Sequence, residues 1–136
     1  MNISNRIKVS KEATDKMKQL KAKLKSGPLY SIARMGLMYS LADEMPPQKE
    51  YYQEDGMDFN KTTFFGDDYY TYMTLLEEYG LYTKPTDSRK SEITDELGPK
   101  QLTSYLAAHT NRGIVKLSNR IKGQEDLLDL VKEQNL

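Results

Sequence analysis

Few residues in this 136-residue chain are of a type that could react. The sequence holds one histidine, His109, and no cysteine. A Cys–His pair, a multi-histidine metal site, a thiolate-bound zinc or iron–sulfur site and an internal disulfide are therefore excluded. Serines are present, but only His109 could serve them as an imidazole base, and it shares a helical period with Leu102, Leu106, Gly113 and Leu117. On that apolar face a satisfied core or interface histidine is the expected reading. Asp67-Asp68 and Glu77-Glu78 are adjacent carboxylates. Neighbours on a helix point about 100° apart, which makes them poor two-point metal ligands. Asp67 or Asp68 reads better as a helix N-cap. No Gly-x4-Gly-Lys-Ser/Thr loop is present, so ATP binding of the P-loop kind is not expected. The sequence implies no cofactor and no resident metal.

The charges are arranged for binding. The formal net charge is zero, which argues against a uniformly basic surface. Residues 1–25, however, carry Arg6, Lys8, Lys11, Lys16, Lys18, Lys21, Lys23 and Lys25 against Glu12 and Asp15, a net +6. Residues 41–80 carry ten acids against Lys49 and Lys61, a net −8. Such polarity suits an anionic partner at one surface and self-association through opposite charges. A solvated charged helix is the plainer alternative.

The elements that position these groups follow from periodicity. Ile7 and Val9 alternate with Arg6 and Lys8, the period of a half-buried strand. Ser10 is a good N-cap, with Glu12 in the first turn. A helix then runs to about Lys25 with Ala13, Met17, Leu20 and Leu24 as one narrow stripe. Ser26-Gly27-Pro28 ends it, with Gly27 available for a left-handed cap. A second helix, roughly Leu29 to Glu44, is apolar on nearly every side and is expected at the centre or in a subunit interface. Gly36 inside it costs about 1 kcal/mol relative to Ala, which a close helix–helix approach would explain. Pro46-Pro47 stops it.

Residues 46–66 bear Tyr51, Tyr52, Phe59, Phe64 and Phe65 between glycines and read as an ordered loop or short hairpin. Asp67 or Asp68 caps a third, tyrosine-rich helix to Tyr79, closed by Gly80, and this helix and the apolar second one are the expected subunit interface. Residues 82–97 form an exposed connection. Pro99 opens a fourth helix through Leu117, Gly123 breaks it, and Leu127 to Val131 form a short last helix. The expected fold is therefore mainly α: one compact helical domain over residues 1–136 with a short N-terminal strand. Strand, lysine-rich helix, Gly-Pro turn and apolar helix also follow the order of ribbon-helix-helix DNA binders, in which a strand from each subunit reads the groove. Arg6 and Lys8 would be the base-reading candidates of such a ribbon, and the helix lysines would meet phosphates. The N-terminal residues have no secretory h-region and no apolar run could span a bilayer; a reducing cytoplasm fits.

The central and C-terminal segments carry a family resemblance. Phe59-Asn60-Lys61-Thr62-Thr63-Phe64-Phe65-Gly66-Asp67-Asp68, leading into Tyr72-Met73-Thr74-Leu75-Leu76, is similar to the pattern of the DndE family of bacterial DNA phosphorothioation systems. Ala108-His109-Thr110-Asn111-Arg112-Gly113-Ile114 with Lys116-Leu117 resembles that family's Ala-His-x-x-Arg-Gly signature, and Asn5-Arg6-Ile7-Lys8-Val9-Ser10 also fits. The likeness runs from about residue 5 to 131; the tract from Tyr82 to Gly98 is longer than the pattern.

This resemblance implies a compact, mainly helical homo-oligomer, with a tetramer expected. It implies work alongside a cysteine desulfurase, an iron–sulfur protein and an ATPase that together replace a non-bridging phosphate oxygen of DNA with sulfur. It also implies binding of nicked double-stranded DNA through surface lysines, carried over here to Lys16, Lys18, Lys21, Lys23 and Lys25. His109 and Arg112 belong to the signature, and a structural or interface role is expected of them. The expectation is a non-catalytic DNA-binding subunit. Two alternatives stay open: a nickase holding a metal at Asp67 or Asp68, and a ribbon-helix-helix regulator.

Overall fold

The computed structural model describes residues 3–25, 27–43, 45–80, 98–122 and 132. The connection expected over 82–97, the break at Gly123 and the short helix over 127–131 lie outside the described residues.

Strand β1 (Arg6–Lys8) leads into helix α1 (Lys11–Leu24). Ser10 caps α1 as its sequence predicts: its hydroxyl accepts from the Ala13 N–H at 3.0 Å. Ala13, Met17, Leu20 and Leu24 are all buried, so the narrow stripe is the packed face. The helix ends at Leu24, as expected, but the residue that caps it differs. Lys25, with φ 49°, takes the left-handed cap expected of Gly27. The last turn closes there, and a long unbranched side chain accepts the left-handed region at a cost of roughly 1 kcal/mol.

Helix α2 (Leu29–Leu41) follows directly after Pro28. A 3₁₀ turn (Lys49–Tyr51), strand β2 (Asp58–Asn60), helix α3 (Lys61–Phe65) and helix α4 (Tyr69–Leu75) come next, and α4 continues as a π turn through Leu76–Gly80. Helix α5 (Pro99–Arg120) completes the described fold, with proline in its first turn and Gln101 Oε1 accepting from the Gly98 N–H. The stretch expected as one loop or hairpin thus contains a strand and a short helix, and the third helix begins at Tyr69.

The strand is observed, but it finds its partner within the chain. β1 pairs antiparallel with β2, matching Arg6 with Asn60, Ile7 with Phe59 and Lys8 with Asp58. Ile7 and Phe59 face the core, while the other four are exposed. The strand-helix-helix order is that of a ribbon-helix-helix half, and within the chain β2 is the strand that pairs with β1. The Phe59 ring supplies the reason, since it packs edge-on against Phe64 with centroids 5.7 Å apart and ties β2 to the core.

The core is organised by the crossing of α2 and α5. A Cβ added at Gly113 would sit 1.6 Å from the Gly36 carbonyl oxygen, and one at Gly36 would sit 2.6 Å from Ile114 Cγ1. The two backbones touch, as the glycine inside an otherwise apolar helix suggested. Ile32, Leu37, Leu106, Ile114 and Leu117 fill the seam around the contact. Among the described residues, no helix is long and apolar enough to cross a membrane.

Because the obstacle at Gly113 is backbone, a side-chain adjustment cannot relieve it. Gly113→Ala is expected to lower the unfolding free energy by roughly 2–3 kcal/mol, outweighing the ~1 kcal/mol that alanine gains in helix propensity. Gly27→Ala, with nothing within 4 Å of the added carbon, is expected to be neutral or slightly stabilising. Urea denaturation of both variants checks this; an unchanged midpoint in Gly113→Ala would refute the crossing.

Candidate nucleic-acid interface

The cations expected to meet an anionic partner are on the surface. Lys8, Lys18, Lys21, Lys23 and Lys25 are exposed and Lys16 is half-buried. Helical geometry then divides them. With about 100° per residue and the buried stripe as origin, Lys11, Lys18, Lys21 and Lys25 fall on one flank of α1. Lys16 and Lys23 fall on the other, beside Glu12. Asp15, Gln19 and Ala22 form the ridge between. The fold therefore gathers Lys18, Lys21 and Lys25 with Lys11, a residue the family carry-over left out, and separates Lys16 and Lys23 from them. Among the described residues, no carboxylate forms an ion pair with the four ammonium groups, while Asp55 Oδ1 accepts from the Lys11 backbone N–H at 2.9 Å. At about 1.5 Å per residue the flank is ~21 Å long, the axial span of roughly six phosphates of one DNA strand.

Arg6 and Lys8 share the exposed face of the sheet with Asp58 and Asn60. Arg6 Nε is 3.1 Å from Asp58 Oδ2, with the arginine side chain 61% exposed. An ion pair that exposed holds little energy, about 0–1 kcal/mol, and is open to exchange.

The signature on α5 does something different. Arg112 is buried and donates to five oxygens. Its Nε donates to Ser40 Oγ at 2.8 Å and its two terminal nitrogens to the carbonyls of Ser40 (3.0 Å), Met45 (2.7 Å) and Pro46 (3.0 Å) and to Gln48 Oε1 (3.4 Å). The guanidinium thus closes off the C-terminal end of α2 and the turn after it, where helix carbonyls lack internal partners and the helix dipole favours a cation. Burial pushes the Arg112 pKa below its ordinary value, and the nearby Asp43 carboxylate opposes that shift. Ser40 Oγ, which accepts from Arg112, also lies within hydrogen-bond distance of His109 Nδ1, at 2.8 Å.

Asn111, next along α5, reaches the other side. Its Oδ1 accepts from the Ser10 N–H at 2.8 Å, and its Nδ2 donates to the carbonyls of Tyr51 (2.8 Å) and Gln53 (3.0 Å). Sequence reasoning assigned no role to Ser40 or Asn111. Ser40, a polar residue in an apolar run, was the available signal, since a buried hydroxyl requires a partner.

Asp67 and Asp68 are both exposed. Asp68 occupies the N-cap position of α4 without a side-chain cap bond. Among the described residues, no three His, Asp or Glu side chains are gathered as metal ligands would be. An open hollow of about 380 Å³ lies between the start of α1 and the 50–55 loop, with Glu12, Glu50 and Asp55 and no cation among its described lining residues. It sits near the N-terminal end of α1, so the acidic and basic surfaces adjoin.

The fold and this surface define a small helical domain with a lysine flank on its first helix and a buried polar network at the end of its second. The chain belongs to the DndE family: the family model described as DNA sulphur modification protein DndE matches residues 6–125. Its fold is similar to the crystal structure of DndE from Escherichia coli B7A involved in DNA phosphorothioation modification, with a TM-score of 0.63 and 24% identity over 86% of this chain and 98% of that one. A glycine-to-lysine double mutant of DndE involved in DNA phosphorothioation is similar at a TM-score of 0.62 and 24% identity, over 85% and 98%. No curated protein matches the chain. Family membership places the chain among the proteins of DNA sulfur modification.

Arg112→Lys is expected to destabilise the fold by roughly 2–4 kcal/mol, because an ammonium cannot reach the same set of carbonyls and leaves buried acceptors unpaired. Thermal unfolding checks it; wild-type stability in the lysine variant would show that charge alone suffices.

Proposed function

We propose that this protein is a non-catalytic DNA-binding subunit of a phosphorothioation system, which holds double-stranded DNA, nicked DNA in particular, by its phosphates. The observation that carries the reading is the flank of Lys11, Lys18, Lys21 and Lys25: four cations on one side of the helix, whose ammonium groups form no ion pair among the described residues. Lysines act on phosphates as point charges, so binding is salt-sensitive and largely indifferent to sequence. The chain itself has no cysteine, so a thiolate that carries sulfur belongs to a partner. The iron–sulfur and ATPase proteins of the system are the proposed partners.

A homo-oligomer, a tetramer in this reading, would array several such flanks so that weak contacts add by avidity. Exposed Met38 on α2, with Met45 just beyond it, supplies apolar surface for such an assembly. Size exclusion with light scattering is expected to show a species larger than one chain, and a monomer at all concentrations would remove the avidity argument.

The DNA reading is tested by fluorescence anisotropy across a salt titration. Lys18→Ala/Lys21→Ala/Lys25→Ala is expected to flatten the log–log salt slope by about 2–3, since each phosphate that the protein no longer neutralises removes roughly 0.9. Lys16→Ala/Lys23→Ala is expected to change the slope by less than about 0.9. Equal effects of the two variants would deny the division into flanks, and no binding by wild type at low salt would overturn the proposal.

A further inference from the structure

Contacts to phosphates do not distinguish a cut strand from a continuous one, because the phosphates persist on both sides of the interruption. A nick adds something else: flanking base pairs that unstack without stretching the backbone, and so present an aromatic face. The described surface exposes three aromatic side chains, Tyr52, Tyr70 and Tyr79, and Tyr70 is by far the most open of them. Tyr70, in the first turn of α4, is 82% exposed, far more than any other large hydrophobic residue among those described.

Tyr70 is exposed yet supported. Its ring meets Tyr69 at 5.4 Å between centroids and 71° between planes. Tyr69 is itself fixed, edge-on against Phe65 at 5.4 Å and with its hydroxyl accepting from the Ile3 N–H at 3.3 Å. Lys61 Nζ lies 4.1 Å from the Tyr69 ring centroid. Lys61 follows Asn60, the last residue of β2, which faces Arg6 across the β1–β2 ladder. Aromatic platforms flanked by cations are how proteins hold unstacked bases without reading sequence. Exposed Asp67 and Asp68, just before α4, disfavour a phosphate here but can accept hydrogen bonds from the exocyclic amines of bases.

We propose that Tyr70 stacks on the base face exposed at a strand interruption, with Lys61 placing the adjacent backbone. This rests on the DNA-binding reading above and supplies the physical source of a preference for nicked DNA.

The test uses the full chain with intact and nicked duplexes that carry 2-aminopurine at the nick or at the same position. Anisotropy gives affinity and 2-aminopurine emission gives stacking, while circular dichroism confirms folding. Wild type is expected to bind the nicked duplex roughly tenfold more tightly, the scale of one base–aromatic stack, and to change the emission only there. Tyr70→Ala is expected to bind both duplexes with the intact-duplex affinity and leave the emission unchanged; Tyr70→Phe, which keeps the ring, behaves as wild type. Retained preference and emission change in Tyr70→Ala would overturn the assignment, as would equal binding of both duplexes by wild type; salt-sensitive binding would survive either result. Absence of any binding at low salt would overturn the lysine reading and the Tyr70 assignment together.

Discussion

Two glycines, Gly36 on α2 and Gly113 on α5, let the backbones of the central helices meet, and a Cβ on either would collide with the other helix. That contact sets the depth of the crossing, and one turn along α2 the depth has a consequence. Ser40 comes within reach of His109 and Arg112, and the guanidinium reaches the Ser40, Met45 and Pro46 carbonyls. A buried cation with neutral acceptors is costly to assemble and more costly to disrupt, since removing it orphans several carbonyls at once. The arrangement therefore specifies one path for the chain leaving α2.

The same helix controls the opposite surface. Asn111 holds the Ser10 N–H and the Tyr51 and Gln53 carbonyls, so α5 anchors both the start of α1 and the loop beside it. With its buried stripe packed and its N-cap residue tied, α1 presents its lysine flank in one direction. A phosphate-binding face benefits from this, because rigid placement reduces the entropy lost on ordering long side chains. His109 and Arg112 of the signature thus fix the end of α2, and Asn111 between them ties the start of α1.

Much of this was legible in the sequence. The α1 stripe, the Ser10 cap, the burial of α2 and the reason for Gly36 all follow from local period and propensity, and the structure agrees at each. The partner of β1 was not legible, because pairing with β2 is set by long-range packing of Ile7 and Phe59 and no local turn signal joins them. The left-handed Lys25 was hidden behind a more obvious glycine. The lysines were identifiable by type, but their division into two flanks required the orientation of the buried stripe, and the Ser40–Arg112 network joins residues distant in the chain.

Lysine footprinting tests the central claim most directly. The protein, alone and with duplex DNA, would be acetylated at low and at high salt and each site read by mass spectrometry. The account predicts that DNA protects Lys11, Lys18, Lys21 and Lys25 at low salt, that high salt removes the protection, and that Lys23 and Lys116 stay reactive throughout. Uniform reactivity with and without DNA, or protection centred on Lys23 and Lys116, would contradict it.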